Sequence, residues 1–462
     1  MIPFTQFIVD AFDKNAPHLP GSENSYISAL RKKAIDVFAE RGFPSKKMET
    51  WRHRPMDQHV AEKYAFQFAP DSFIPVEKIF KCKIDNIGTN TFALLNGWYS
   101  YQHSPLTIFP NGMIVGSLLA AFEQFPELVK THLAQTDLQK TDPLVAMNQA
   151  LFTDGLFIYV PENIHVEQPI QMINLATSKE QLLIQSRNLI VLDKNASLSL
   201  IHCNDSVHDG KSFTNNVTEV SLNENATMNY YKMENKDPDS LLIDHVIVDE
   251  KSHATFLSNA TTFNAGYVRN MLTVNLNEPF ADAKLYGLYL VDKKQYVDNQ
   301  VSVNHNATDC TSKQLYKGVV DDEAVANFNG HILVAQDAQR TTAFQTNRNI
   351  TLTDEARIMT KPFLEIYADD VQCSHGATVG QLNDDALFYL RSRGICERNA
   401  RVLLLYAFAN EIVDYIEIES LRHRLTDMVK KRISGELTHC DQCVLHCSDP
   451  KEIIFNIDVS KI

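Results

Sequence analysis

Three observations predict a mainly β protein with a solenoid core and helical ends. Between about residues 155 and 370, short apolar and β-branched runs alternate with Asn, Asp, Glu and Lys clusters, without a long helical period. Within that stretch one turn recurs: acidic or Asn residues, then Ala, then an alternating strand. Apolar residues at helical spacing mark both ends of the chain instead.

The recurring turn is seen in Asp193–Leu198, Asn223–Met228, Asp249–Phe256, Asp322–Phe328 and Thr353–Ile358, with a looser copy ending at Ala283. Its alanines fall at 196, 226, 254, 283, 324 and 356, giving steps of 30, 28, 29, 41 and 32 residues. One coil of that length cannot bury its own apolar face, so a period near 30 predicts stacked coils, with an insertion in the long step. A β-sandwich with similar Asx turns is the competing reading. A solenoid has two open ends that need covers, and the terminal helices are the natural candidates.

In chain order, residues 1–65 form a helical region. Ala29, Leu30, Ala34, Ile35 and Phe38 share one face, and Arg41-Gly42-Phe43-Pro44 stops the helix. Trp51-Arg52-His53-Arg54-Pro55 reads as an exposed connector. Residues 66–150 are a mixed region with a helix through Gly116 to Phe122, and residues 151–383 are the β core. In 384–435, Asn383-Asp384-Asp385 caps a helix that Gly394 ends, and an apolar helix runs from Glu397 to Ile418. A stripe of Leu421, Leu425, Met428, Val429 and Ile433 follows, serving either as core or as a partner-facing surface. Residues 436–462 are a tail rich in Cys and His.

Composition narrows the function. The chain has 462 residues, 44% hydrophobic, with 43 Lys and Arg against 57 Asp and Glu, a net charge of −14. That field repels phosphate backbones and anionic membranes, so neither nucleic acid nor a membrane is an expected partner. The N-terminus lacks a basic region before its apolar residues, and no apolar run approaches the roughly 18 residues of a membrane span. Eight cysteines without a secretory signal are expected to be reduced thiols in the cytoplasm.

The densest chemistry lies in Asp369-Asp370-Val371-Gln372-Cys373-Ser374-His375-Gly376. Cys373 and His375, at i and i+2 on a strand, share a face where thiolate and imidazole can share a metal or an iron-sulfur fragment. Two ligands leave a site incomplete, so a second chain or solvent must supply the rest. The same pair also reads as a Cys nucleophile with a His base, or as a packed thiol beside a hydrogen-bonded imidazole. In the tail, Cys440, Cys443 and Cys447, with His439 and His446, form a candidate accessory metal site, against a tail of reduced thiols. The sequence contains no P-loop, dinucleotide, zincin or hydrolase-elbow motif, so any nucleotide energy must come from a partner. A β-helix hydrolase or lyase acting on carbohydrate through Asp369 and Asp370 is the enzymatic alternative.

The stretch Phe363-Leu364-Glu365-Ile366-Tyr367 through Cys373-Ser374-His375-Gly376-Ala377-Thr378 to Gln381-Leu382, followed by Ala386-Leu387-Phe388-Tyr389-Leu390-Arg391-Ser392-Arg393-Gly394, closely resembles the SufB/SufD family of iron-sulfur cluster assembly proteins. Ser312-Lys313-Gln314-Leu315-Tyr316-Lys317-Gly318, Phe328-Asn329-Gly330-His331 and Glu49-Thr50-Trp51 are similar to the same family, so the likeness runs to about residue 430. The Cys-Ser-His-Gly-Ala-Thr form resembles the SufD type. The SufB type carries a Cys where this chain has Gln345-Thr346-Asn347-Arg348-Asn349.

The resemblance implies a right-handed parallel β-helix and a non-catalytic scaffold subunit working with a SufB-like paralogue and the SufC ATPase. It implies that His375 and Cys373 lie at the interface with SufB, where iron or a nascent cluster is handled. It implies that the ATPase docks on the helical segment, with Phe388, Tyr389, Arg391, Arg393, Leu421 and Leu425 as expected contacts. Reduced flavin would act only at the level of the complex, and the isolated chain could form a homodimer.

Overall fold

The computed structural model describes residues 3–48, 51, 56, 60, 64–71, 73–75, 88–177, 180–206, 211–264 and 266–434. Its centre is a β-solenoid of two ten-stranded sheets between which the chain alternates. Sheet I runs from Trp98–Ser100 and Asn90–Leu95 through Ile170–Ala176, Ser197–Ser206, Thr227–Asn235, Thr255–Asn264, Asp282–Val291, Thr311–Val320 and Thr341–Thr351 to Val371–Gly380. Sheet II runs from Leu106–Ile108 and Ile114–Ser117 through Leu156–Val160, Leu183–Leu192, Phe213–Leu222, Leu241–Glu250, Tyr267–Leu276, Tyr296–His305 and Val325–Val334 to Arg357–Ile366. In the coils each strand pairs in parallel with the strand one coil later, as in Asp282↔Thr311 and Tyr296↔Val325. Antiparallel pairs occur at the N-terminal end, where Ala93 faces Ser100 and Ile114 faces Tyr159.

The recurring turn has a geometric cause. Asn195, Asn225, His253, Phe280, Asp309 and Arg340 each take a positive φ of 57 to 67° before a strand of sheet I. Asn and Asp tolerate that conformation best among residues with a side chain, which explains the Asx signature. The next residue is always buried and mostly small: Ala196, Ala226, Ala254, Ala281, Cys310 and Thr341. Backbone bonds such as Thr227 N–H to the Ala196 carbonyl and Thr311 N–H to the Ala281 carbonyl tie these positions into one column. The steps along it are 30, 28, 27, 29 and 31 residues.

The coil is therefore regular, and the expected insertion is not there. Ala324 and Ala356 belong to the opposite corner, preceding strands of sheet II, where Arg357 N–H reaches the Ala324 carbonyl. The 41-residue step joined two different corners of the same coil.

Apolar residues from both sheets fill the interior, among them Leu200, Phe256 and Leu285 from sheet I and Val248, Val274 and Val303 from sheet II. Helices α1 (Pro3–Asn15), α2 (Ser25–Arg41), α3 (Leu118–Gln124), α4 (Pro126–His132), α5 (Leu138–Thr141) and α6 (Pro143–Leu151) precede the regular coils; α7 (Asp384–Ser392), α8 (Glu397–Val413) and α9 (Glu419–Ile433) follow them. The Asn24 side chain caps α2 by accepting from the Tyr26 and Ile27 N–H groups. Gly42, at a φ of 72°, ends it.

These helices lie along the sides of the solenoid, which corrects the expectation that they cover its ends. Helices α1, α2 and α6 pack on the outer face of sheet II around Phe38, Leu144, Phe213 and Ile243. Helices α8 and α9 cover sheet I through Ile412, Leu421 and Leu425 against Tyr231, Leu257 and Leu315. Polar ties fix that cover in place: Asn259 Nδ2 donates to the Ile412 carbonyl at 2.8 Å, and Arg432 to Asp292 at 2.7 Å. Trp51, expected to be exposed, is buried beneath the Arg269 guanidinium at 3.7 Å. Residues 52–55 lie outside the described residues.

Close packing inside the coils makes one glycine indispensable. A Cβ at Gly318 would come within 2.0 Å of the Tyr289 ring, and the Tyr289 hydroxyl is held by Asn349. Gly318→Ala is expected to destabilise the fold by about 1–3 kcal/mol. The readout is a lower urea midpoint with an unchanged slope; an unchanged midpoint would show that the ring moves aside without penalty.

Candidate functional site

Among the described residues, nothing pairs with the solenoid at its C-terminal end. Val371–Gly380 closes sheet I and Arg357–Ile366 closes sheet II, and among the described residues neither has a partner on its outer edge. Each presents ten residues of backbone with unpaired N–H and C=O groups, an edge that isolated proteins ordinarily blunt. Around it Phe363, Ile366, Tyr367 and Val379 are exposed, from 38% to 60%. Apolar side chains beside open backbone are the ingredients of strand addition by another chain.

Cys373 and His375 stand on this last strand. Cys373 pairs in register with Ala343, and His375 with Gln345. Ala343 is preceded in its column by Ser312, Ala283 and Phe256, and Gln345 by Gln314 and Leu285. Those are inward columns, so both residues sit on the inner face of the terminal strand, above the end of the core. Cys373 packs beside Ile332, Val334, Ala338 and Ala343. Burial pushes its thiol above the ordinary value, partly offset by a hydrogen bond with the Ala343 backbone. His375 is exposed, with no hydrogen-bond partner among the described residues.

The pair supplies one sulfur and one nitrogen donor. Among the described residues no three His, Cys, Asp or Glu side chains converge as a metal site would require. A closed site therefore needs donors from outside this group. The protonated thiol also requires a neighbouring charge or a metal before it becomes a strong ligand.

The other sequence candidates fall elsewhere. Asp369 and Asp370 are exposed on the preceding turn, where the Asp370 carbonyl accepts from Arg340 N–H at 2.6 Å and its N–H donates to Gln339 at 2.9 Å. Their backbone shapes a corner, and nothing in that arrangement supports carbohydrate chemistry. Phe388 and Tyr389 project from α7 at 75% and 57% exposure. Arg391 and Arg393 are exposed beside them, Arg393 5.2 Å from the Tyr389 ring centre. Leu421 and Leu425 are buried against sheet I. That burial removes them from the accessible docking surface expected from the sequence, because the apolar stripe of α9 is spent on covering the sheet. Cys440, Cys443 and Cys447 lie outside the described residues.

A second cluster at the same end was not singled out from the sequence. The His331 ring stacks on Phe363 at 5.2 Å, its Nε2 lies 3.2 Å from the Glu365 carboxylate, and the Tyr367 hydroxyl donates to Glu365. Tyr367 and then His331 hold the Glu365 carboxyl below its ordinary value, although partial burial opposes them. The signal was the alternation Phe363, Glu365, Tyr367 along one strand face.

Residues 174–408 match the family model for the SUF system FeS cluster assembly SufBD core domain, and residues 4–172 match the SufBD protein N-terminal region. A SufBD family iron-sulfur cluster assembly protein of Synechocystis sp. is 30% identical, the alignment covering 91% of this chain and 94% of the relative. The iron-sulfur cluster assembly protein SufD of Escherichia coli is 26% identical, over 90% of this chain and 96% of its own length. SufD of Bacillus subtilis is 23% identical, over 89% and 95%. Both regions of the family, matched in order along one solenoid with helices on its flanks, show that this chain belongs to the SufBD family of the SUF iron-sulfur cluster assembly system, among its SufD-type members.

Proposed function

We propose that this protein is a scaffold subunit that pairs its open solenoid end with a SufB-like paralogue and presents His375 and Cys373 there to iron or a nascent iron-sulfur cluster. The observation that carries the reading is the last coil, where, among the described residues, two edge strands without outer partners, an apolar rim and the Cys373–His375 pair occupy one surface. A paralogue with the same architecture would offer matching edges, and backbone pairing across them would exclude water around the pair. Its donors would complete the coordination that two residues cannot, and a cation or metal beside Cys373 would favour the thiolate. Iron and sulfide are cargo in this scheme, and the chain itself performs no turnover.

The ATPase partner docks on the exposed face of α7, where Phe388 and Tyr389 supply an aromatic anchor and Arg391 and Arg393 a charged rim. Helix α7 directly follows the strand that carries His375, so a partner pulling on α7 acts on the edge of the interface. ATP-driven motion would thereby open or close access to the ligand pair.

The test is co-expression with the paralogue and the ATPase, anaerobic purification, and measurement of iron and acid-labile sulfide per complex. His375→Ala is expected to leave the complex assembled and to lose most of its iron. Equal iron in both complexes would make His375 structural and sink the ligand role.

A further inference from the structure

We propose that Gln345 is the positioning residue for His375: its free side-chain carbonyl is placed to accept the imidazole N–H once the exposed ring turns inward, and so fixes which ring nitrogen is left with a lone pair for iron. The structure carries this through a ladder of amides inside the last three coils of sheet I. Gln314, Gln345 and His375 occupy one inward column, each in register with the next. Gln345 Nε2 donates to Gln314 Oε1 at 2.8 Å. Gln345 is 1% exposed, and its Oε1 is buried without a partner. Gln314 Nε2 is likewise buried without a partner, and the rung beneath it is Leu285, which offers no acceptor.

Gln345 thus donates one rung down to Gln314, leaving an orphan donor on Gln314 at the bottom and an orphan acceptor on Gln345 at the top. The rung above that acceptor is His375. In-register residues of adjacent strands sit about 4.8 Å apart, within reach of an imidazole and an amide. A neutral imidazole has one N–H and one lone pair, so giving its proton to Gln345 turns the other nitrogen away from the ladder. Gly330 makes the arrangement possible, because a Cβ there would come within 1.9 Å of Gln345 Nε2. The amide therefore lies directly against the Gly330 backbone of the facing sheet. Ligating histidines ordinarily donate their second nitrogen to such an acceptor, and its loss weakens metal binding by about 10- to 100-fold.

The consequence for iron rests on the ligand role given to His375 above; the hydrogen bond itself does not. The isolated full-length chain, with 15N-labelled histidine, is examined by NMR at a pH where imidazole is neutral, and the His375 signals are assigned by their absence in His375→Ala. A fixed tautomer gives a wide separation between the two ring-nitrogen shifts, which narrows when the tautomers interconvert. The separation is expected to narrow in Gln345→Leu and to be restored in Gln345→Glu, which keeps an acceptor. Leu285 already fills the same column, so leucine fits there, and Gln345→Met provides a second variant without an acceptor. An unchanged separation in both Leu and Met variants overturns the proposal.

Iron per complex, measured separately, is expected to bind about tenfold more weakly in Gln345→Leu. If the ring shifts respond to Gln345 while His375→Ala keeps its iron, the ligand role fails and the hydrogen bond stands. If His375→Ala loses iron while the ring shifts ignore Gln345, the positioning role alone fails.

Discussion

Lys232→Met is expected to destabilise the protein by about 3–5 kcal/mol, the usual penalty for stripping one partner from a buried ion pair. Lys232 lies inside the solenoid at 4% exposure. Its ammonium bonds Asp244 across the core, lies 2.9 Å from Glu234 Oε1 and donates to Asn270 at 2.7 Å. Glu234 in turn accepts from Thr262 at 2.6 Å and Asn270 at 2.8 Å. Burial alone would push the Lys232 ammonium down, but the Asp244 and Glu234 carboxylates outweigh it and hold it above its ordinary value. Met fills the same volume, yet it leaves two carboxylates in the core without their cation. Adding Asp244→Asn and Glu234→Gln to Lys232→Met should recover much of the loss, because neutral amides need no counter-charge. Urea unfolding of the three proteins checks this; a single-variant loss below about 1 kcal/mol would show that water reaches the triad.

That polar interior also marks where the sequence stopped being readable. Alternation in strands ordinarily reads as apolar inward and polar outward, and Lys232, Glu234, Asp244 and Asn270 would all be assigned to solvent on that rule. Register overrides it: Asn174, Asn204, Glu234 and Thr262 form one inward column of sheet I, facing Ser186, Asn216, Asp244 and Asn270 in sheet II. Polar residues one coil apart satisfy each other along the same sheet, as when Asn174 Nδ2 reaches both His202 and Asn204. A pairing between residues about 30 positions apart becomes visible only once the coil length is known.

What was legible came from local rules. Turns needing a positive φ select Asn and Asp, the buried corner selects Ala, and the cap at Asn383 starts its helix where the sequence says it should. The apparent insertion between Ala283 and Ala324 arose because both corners of a coil use similar chemistry, so the repeat of turn residues passes from one corner to the other. The candidate pair was legible as a pair, since Cys373 and His375 share a face by period two. Gln345 was not, because its role depends on the neighbour one coil above it.

Phe363→Asp combined with Val379→Lys is expected to weaken binding of the SufB-like paralogue by about 1000-fold, the product of two buried anchors worth about 2 kcal/mol or more each. Both side chains are about half exposed in the isolated chain, at 49% and 48%, so the variant should keep its urea midpoint. Each substitution also places a charge on an edge strand, which is how natural sheets prevent unwanted pairing. The two residues lie on different sheets, so a partner sensitive to both must span the whole mouth of the solenoid, where His375 stands. Sedimentation of mixed subunits measures the effect. Undiminished binding with normal stability would move the paralogue to another surface and leave the open end without its proposed occupant. Loss of binding together with retained α7 contacts to the ATPase would instead separate the two docking faces, which is the arrangement required if the ATPase is to work the interface from its rim.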